Sequence, residues 1–160
     1  MNRASYLPAI HAQLLSGGAI PQLPFPEALS QTFKKGDWVF LVAGYLTICA
    51  SDPAAGIAGI AMEDAHNAAA GLYQINVALF TSQTLIEMSV YHVTAGNCKI
   101  EAVDMGTVYN AEYVSAGLWR VDKGTSDGTS QVRIVHFLDE VGALKGRVCV
   151  NILPGYRLFV

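Results

Sequence analysis

The chain has 160 residues, enough for one domain with a substantial core, and its formal net charge is −3. Hydrophobic residues make up 52% and charged residues 14%, where about 25% charged is usual. Ten Lys and Arg without a basic stripe give no nucleic-acid footprint. Residues 4–26 and 65–86 carry no Asp, Glu, Lys or Arg, but prolines break the first and His66, Asn67, Gln74, Asn76 and Gln83 interrupt the second, so neither reads as a membrane span. Cys49, Cys98 and Cys149 are odd in number and widely spaced, which suits free thiols in a reducing compartment and no disulfide framework or zinc motif.

In chain order, "LPAIHAQLL" (7–15) is compatible with a short helix after Pro8, and no export signal is read at the N-terminus. "SGGAIPQLPFPEALS" follows, with Pro21, Pro24 and Pro26 close together. Proline fixes φ and removes a donor, so this stretch is expected to be extended and to lie outside any sheet. It also carries Ile20, Leu23, Phe25 and Leu29, more apolar side chains than a solvated linker needs. Residues 1–32 therefore read as an extended arm, whose apolar side chains cover either a partner or their own domain.

From Phe33 the pattern is that of β-strands. "DWVFLV" and "YLTIC" are joined by Ala43–Gly44, a hairpin signal. "GIAGIAME" (56–63) predicts a strand with Ile57, Gly59 and Ala61 on one face and Ala58, Ile60 and Met62 on the other, its small residues allowing close approach. "LYQINVAL" places Tyr73, Ile75, Val77 and Leu79 on one face; "LIEMSVY" turns Ile86, Met88 and Val90 inward. "LWRVDK", "QVRIVHFL" and "RVCVNIL" complete the series, with one helical turn expected within 139–145. The fold class is all-β, a small barrel or sandwich over 33–160 with an extended proline-rich N-terminal arm.

The chemistry-bearing residues are sparse. Gly56 and Gly59 lack the third glycine and following helix of a dinucleotide loop. Glu63, Asp64 and His66 match no metal-ligand spacing and suit a turn. "KGTSDGTS" (123–130) reads as a polar hairpin loop. Cys98 has Lys99 beside it, a weak reason to expect a reactive thiol. No catalytic, cofactor or metal residues are assigned.

The order "FKKGDWVFL" (33–41), "YLTICA" (45–50), "GIAGIAMEDA" (56–65), "IEMSVY" (86–91) and "GRVCVNIL" (146–153) resembles the head decoration, or cement, proteins of tailed bacteriophages. Those chains share a G-D-x-V opening strand, an "iaGIAled" strand and a late V-x-V strand. The resemblance implies a non-enzymatic homotrimer bound to the major capsid protein on the outside of the virion, made in the host cytoplasm, without cofactor, nucleic-acid or membrane partner. Ile20, Pro21, Leu23, Pro24, Phe25, Pro26 and Leu29 are then the expected capsid or subunit contacts. A chain lacking residues 1–30 is expected to keep its barrel and bind the capsid less. The alternatives are another virion subunit, in a tail tube or head-completion complex, or a ligand-binding or enzymatic barrel.

Overall fold

The computed structural model describes residues 19–50, 53, 56–115, 117–124 and 129–159, together with the backbone of 12–14. Eleven strands and two short 3-10 turns make up the regular structure of these residues, and the protein is all-β. The strands are β1 (Ala12–Leu14), β2 (Gln22–Pro26), β3 (Trp38–Val42), β4 (Tyr45–Ile48), β5 (Ile57–Ala61), β6 (Gln74–Leu79), β7 (Thr84–Tyr91), β8 (Val108–Ser115), β9 (Leu118–Asp122), β10 (Val132–Phe137) and β11 (Arg147–Ile152).

Five strands close a barrel in the order β7–β11–β10–β8–β9, with β9 returning to β7 as its only parallel pair. Closure removes the open edges that period-two strands otherwise expose. Inward residues alternate as the sequence predicts on β7, with Ile86, Met88 and Val90, and on β9, with Trp119 and Val121; Val132 and Ile134 also turn inward on β10. A bulge at Val135 ends the alternation on β10 and leaves Val135 and His136 exposed.

The second sheet is antiparallel, in the order β2–β6–β5–β3–β4. Ala43 and Gly44 turn β3 into β4 with φ of 50° and 86°, the left-handed pair that a two-residue hairpin requires. Its outer strands approach through a parallel bridge between Glu27 and Leu46. The Ala28 N–H donates to the Leu46 carbonyl at 3.0 Å, and the Ile48 N–H donates to Gln31 Oε1 at 3.1 Å. Residues 27–31 thus cover the outer edge of β4.

One face of this sheet joins the barrel interior, where Trp38, Ile57, Ile60 and Phe80 pack with the barrel's inward residues. The other face folds over a second cluster that includes Phe33, Val39, Leu46, Ile75 and Val77. Strand β5 is therefore buried along its whole length. Its faces differ from the strict alternation expected. Ala58 is an extra residue opposite β3, so Ile57 joins Ile60 in the first cluster while Ala58 and Ala61 enter the second.

Other local expectations change for reasons of pairing. Ala12–Leu14, within the segment read as helical, pairs antiparallel with Thr84–Ile86. Residues 7–11 and 15 of that segment lie outside the described residues. The 139–145 stretch forms a hydrogen-bonded turn, Ala143 N–H to the Glu140 carbonyl, and Leu144 then bridges Lys99. The proline-rich stretch is extended, but Gln22–Pro26 is a strand of the sheet, in register with β6.

Gly59 marks the closest approach of two strands. A Cβ there would stand 1.9 Å from the Ala78 carbonyl oxygen. That contact is with backbone, so relief requires β5 and β6 to separate. Gly59→Ala is expected to lower stability by about 2–3 kcal/mol, as overpacking does. In chemical denaturation, Gly96→Ala, built into open space, is the control expected to stay within about 0.5 kcal/mol of the parent.

Candidate functional site

The ionisable side chains that the sequence assigns to a turn go to separate structural tasks. Glu63 Oε1 accepts the Asn76 N–H at 3.0 Å, and Asp64 accepts the Lys35 N–H at 2.9 Å and pairs with Lys34 at 3.1 Å. These bonds hold the Asp64 carboxyl below its ordinary pKa, the Lys35 N–H first. His66 turns to Glu27, its Nδ1 3.1 Å from Oε2, and stacks on Tyr73 with ring centroids 4.0 Å apart. Glu27 is buried and also accepts the N–H groups of His66 and Asn67. Among the described residues, no cluster of three His, Cys, Asp or Glu side chains is arranged to hold a metal.

Cys98 is buried, donating to the His92 carbonyl at 2.9 Å and accepting the His92 N–H at 3.1 Å. Its thiol ties a loop to the end of β7, while Lys99 reaches toward Glu101 at 3.8 Å. The 123–130 loop does join β9 to β10, with residues 125–128 outside the described residues.

The most concentrated polar group is one the sequence reading missed. Lys123 Nζ, on a side chain only 6% exposed, lies 2.7 Å from Asp104 Oδ2, 3.1 Å from Glu101 Oε2 and 2.8 Å from the Lys99 carbonyl. Asp104 also accepts the Tyr109 hydroxyl and the Glu101 N–H. Burial, then the bond to Asp104, pushes the Tyr109 phenol well above its usual range. Three acceptors surround one ammonium, which clasps residues 99–104 to the barrel wall. Tight spacing in sequence could have flagged Glu101 and Asp104; nothing local pointed to Lys123, which arrives through the β8–β9 hairpin.

The arm residues divide. Ile20 packs against the main core. Phe25 packs into the second cluster and stacks on Phe159 at 6.0 Å. Pro26 is half-buried, and Pro21 and Pro24 are exposed. Leu23 and Leu29 are the large apolar side chains of the group left open to solvent. Leu29 does not stand alone: Val42, Tyr45, Leu72 and Tyr73 are also exposed, on segments that meet at the seam where Glu27 bridges Leu46. Backbone bonds from Gly71 to Glu27, from Glu27 to Tyr73 and from Ser30 to Ala68 hold these segments together, and the Tyr45 ring lies against Gly71. The signal in the sequence was apolar residues in turns, "VAGY" and "AGLY", where polar residues are usual.

A further surface feature is a depression of about 330 Å³ on the barrel, lined by Leu85, Val135, Leu153 and Pro154 with Arg133, Ser82 and Asn151. Comparison with known families, with curated proteins and with solved structures finds no match for this chain. The Lys123 clasp is structural, and Lys123→Met is expected to cost about 3–5 kcal/mol by leaving a buried carboxylate without its cation. The check is thermal or urea unfolding; a variant as stable as the parent would remove the clasp from the stabilising contacts.

Proposed function

We propose that the protein is a non-enzymatic decoration protein of a tailed-phage head, a trimer that binds the major capsid protein on the outer surface and holds the shell against internal DNA pressure. The observation that carries this reading is where the family-like segments lie. Residues 33–41, 45–50 and 56–65 contribute the adjacent strands β4, β3 and β5, and 86–91 and 146–153 contribute the adjacent strands β7 and β11. The resemblance therefore falls on two contiguous patches of sheet and not on scattered turns.

The mechanism is that of a staple. Each trimer adds interfaces between capsid subunits that must break before the shell opens, and a stable interface buries about 1,200–2,000 Å². The arm's part in it is narrower than the sequence suggested. Gln22–Pro26 belongs to the folded sheet, and Phe25 and Glu27 hold it there. Deleting residues 1–30 would remove β2 and strip a cover from the second core, so that truncation tests folding and not binding. Strand β9 holds the β7 edge from Ser89 to Tyr91, next to the stretch that β1 holds from Thr84 to Ile86. Residues 1–11 lie outside the described residues, and the arm's proposed contact with the capsid is assigned to them.

The test is co-sedimentation with expanded phage heads that lack the protein. Saturable pelleting is expected at a stoichiometry that fits threefold positions. Deletion of residues 1–11, which spares β1 and β2, should weaken pelleting at least about tenfold, equivalent to 1.4 kcal/mol, with the melting transition kept. Absence of pelleting with every head preparation would overturn the capsid reading, and tube or ring formation by the protein alone would favour a tail component.

A further inference from the structure

We infer that the uncharged rim of the second sheet, built on Leu29, Val42, Tyr45, Leu72 and Tyr73, is the face through which copies of this chain meet. The inference deepens the proposed function by naming a surface. It rests on the trimer in that reading, not on the capsid.

The rim gathers three segments at the seam where the end of β2 meets the start of β4, bridged by Glu27 and Leu46. These are residues 28–30, the β3–β4 hairpin, and the loop that leads into β6. No Asp, Glu, Lys, Arg or His occurs in residues 28–30, 41–48 or 67–73. Leu72 and Leu29 are 65% and 64% exposed, more than a lone folded domain gains by showing. The same segments carry Ala43, Gly44, Ala69, Ala70 and Gly71, all exposed and all small enough for a partner backbone to approach.

The aromatic residues are already positioned. His66 stacks on Tyr73, and Gly71 abuts the Tyr45 ring. A ring held before contact loses less rotamer freedom on binding, and tyrosine brings area together with a hydroxyl for the partner. Depletion of charge and enrichment in tyrosine are the marks of an interface core.

The occupant follows from the contrast with the barrel. There the exposed apolar side chains Val103, Val141 and Leu144 are interleaved with Lys99, Glu101, Glu140 and Lys145. A surface that stays in water until it meets a different partner keeps such charges, which steer encounter and maintain solubility. A face whose segments carry no Asp, Glu, Lys or Arg, with His66 stacked on Tyr73 at its margin, suits contact between identical chains, whose interfaces are the more apolar class. The rim is smaller than the about 20–30 residues a side of a standard interface. Its affinity alone is therefore modest, and copies held side by side on a shell would gain from effective concentration.

Sedimentation equilibrium of the full chain tests this over roughly 1–300 µM, because self-association reads as a dependence on protomer concentration. The mass is expected to rise from 17.1 kDa toward a trimer. Leu72→Asp and Leu29→Asp should remain monomeric over the range, with melting transitions unchanged, since both side chains are exposed. Leu144→Asp, on the barrel, should associate like the parent. A parent that stays monomeric throughout, or rim variants that associate as well as it does, would overturn the inference. Co-sedimentation separates the two ideas. A monomeric parent that still pellets with heads leaves the capsid reading standing without the rim. An oligomer that depends on the rim but never pellets leaves the rim standing without the capsid.

Discussion

The two halves of the molecule are joined by a stacked pair of indoles. Trp38, at the start of β3, lies parallel to Trp119 of β9 with ring centroids 4.3 Å apart, and both are fully buried. Phe80 meets Trp38 edge-on and Tyr113 meets Trp119 the same way, so one aromatic cluster spans sheet and barrel. Asp37 fixes the approach. One carboxylate oxygen accepts the Lys34 N–H, and the other accepts the Gly117 N–H two residues before Trp119. Burial raises the Asp37 carboxyl above its usual pKa, with the two backbone donors opposing the shift. Folded Asp37 thus binds its proton more tightly than in the unfolded chain. Its charge therefore weighs against stability once pH rises through the raised folded value, and it is kept because the two N–H groups need an acceptor. Neither indole N–H has a hydrogen-bond partner among the described residues, so the stack is held by area and shape.

Given that joint, the edges explain the rest of the architecture. The barrel has none of its own. In the second sheet the proline strand sits at the margin, and its chemistry suits that place. The Leu79 N–H bonds to the Pro21 carbonyl, and the Glu27 N–H bonds to the Tyr73 carbonyl. Antiparallel alternation then directs residues 21, 23, 25 and 27 toward β6 and residues 22, 24 and 26 away from it. Pro24 and Pro26 occupy positions whose N–H would otherwise point out of the sheet. They leave β2 a poor template for a further strand, a role in blocking unwanted pairing.

This is also where the sequence was misread. Period-two patterning found β6, β7 and β9 with their correct faces, because alternation depends only on neighbours in the chain. The Ala43–Gly44 turn and the close approach at Gly59 were legible for the same reason: each is a local steric demand. Proline density suggested exclusion from sheets, and the missing information was non-local, namely that β6 would offer a one-sided edge at which a proline carries no penalty. The bulge at Ala58 and the pairing of Ala12–Leu14 likewise depend on partners far along the chain. The site was less legible than the fold. Leu29 was singled out for standing among prolines, yet it counts because Val42, Tyr45, Leu72 and Tyr73 are folded beside it, a meeting no spacing rule reports.

The distribution of charge follows the same division. Between Trp38 and Ile86 the chain carries only Asp52, Glu63 and Asp64 among Asp, Glu, Lys and Arg, while the barrel strands hold ion pairs such as Glu112–Arg120 and Asp139–Arg147. Arg147 lowers the Asp139 carboxyl by direct hydrogen bonding, and Arg120 lies over the Tyr91 ring at 3.2 Å. These pairs sit on outward positions of a barrel that can remain solvated. The second sheet lacks such a coat, and its outer edge is guarded by prolines that forbid strand addition. Approach by another molecule is thereby diverted from the backbone edge to the side chains of the rim. Recognition there must come from shape and apolar contact. Such contact is screened little by salt and grows with the number of copies brought together, the properties an assembly component needs.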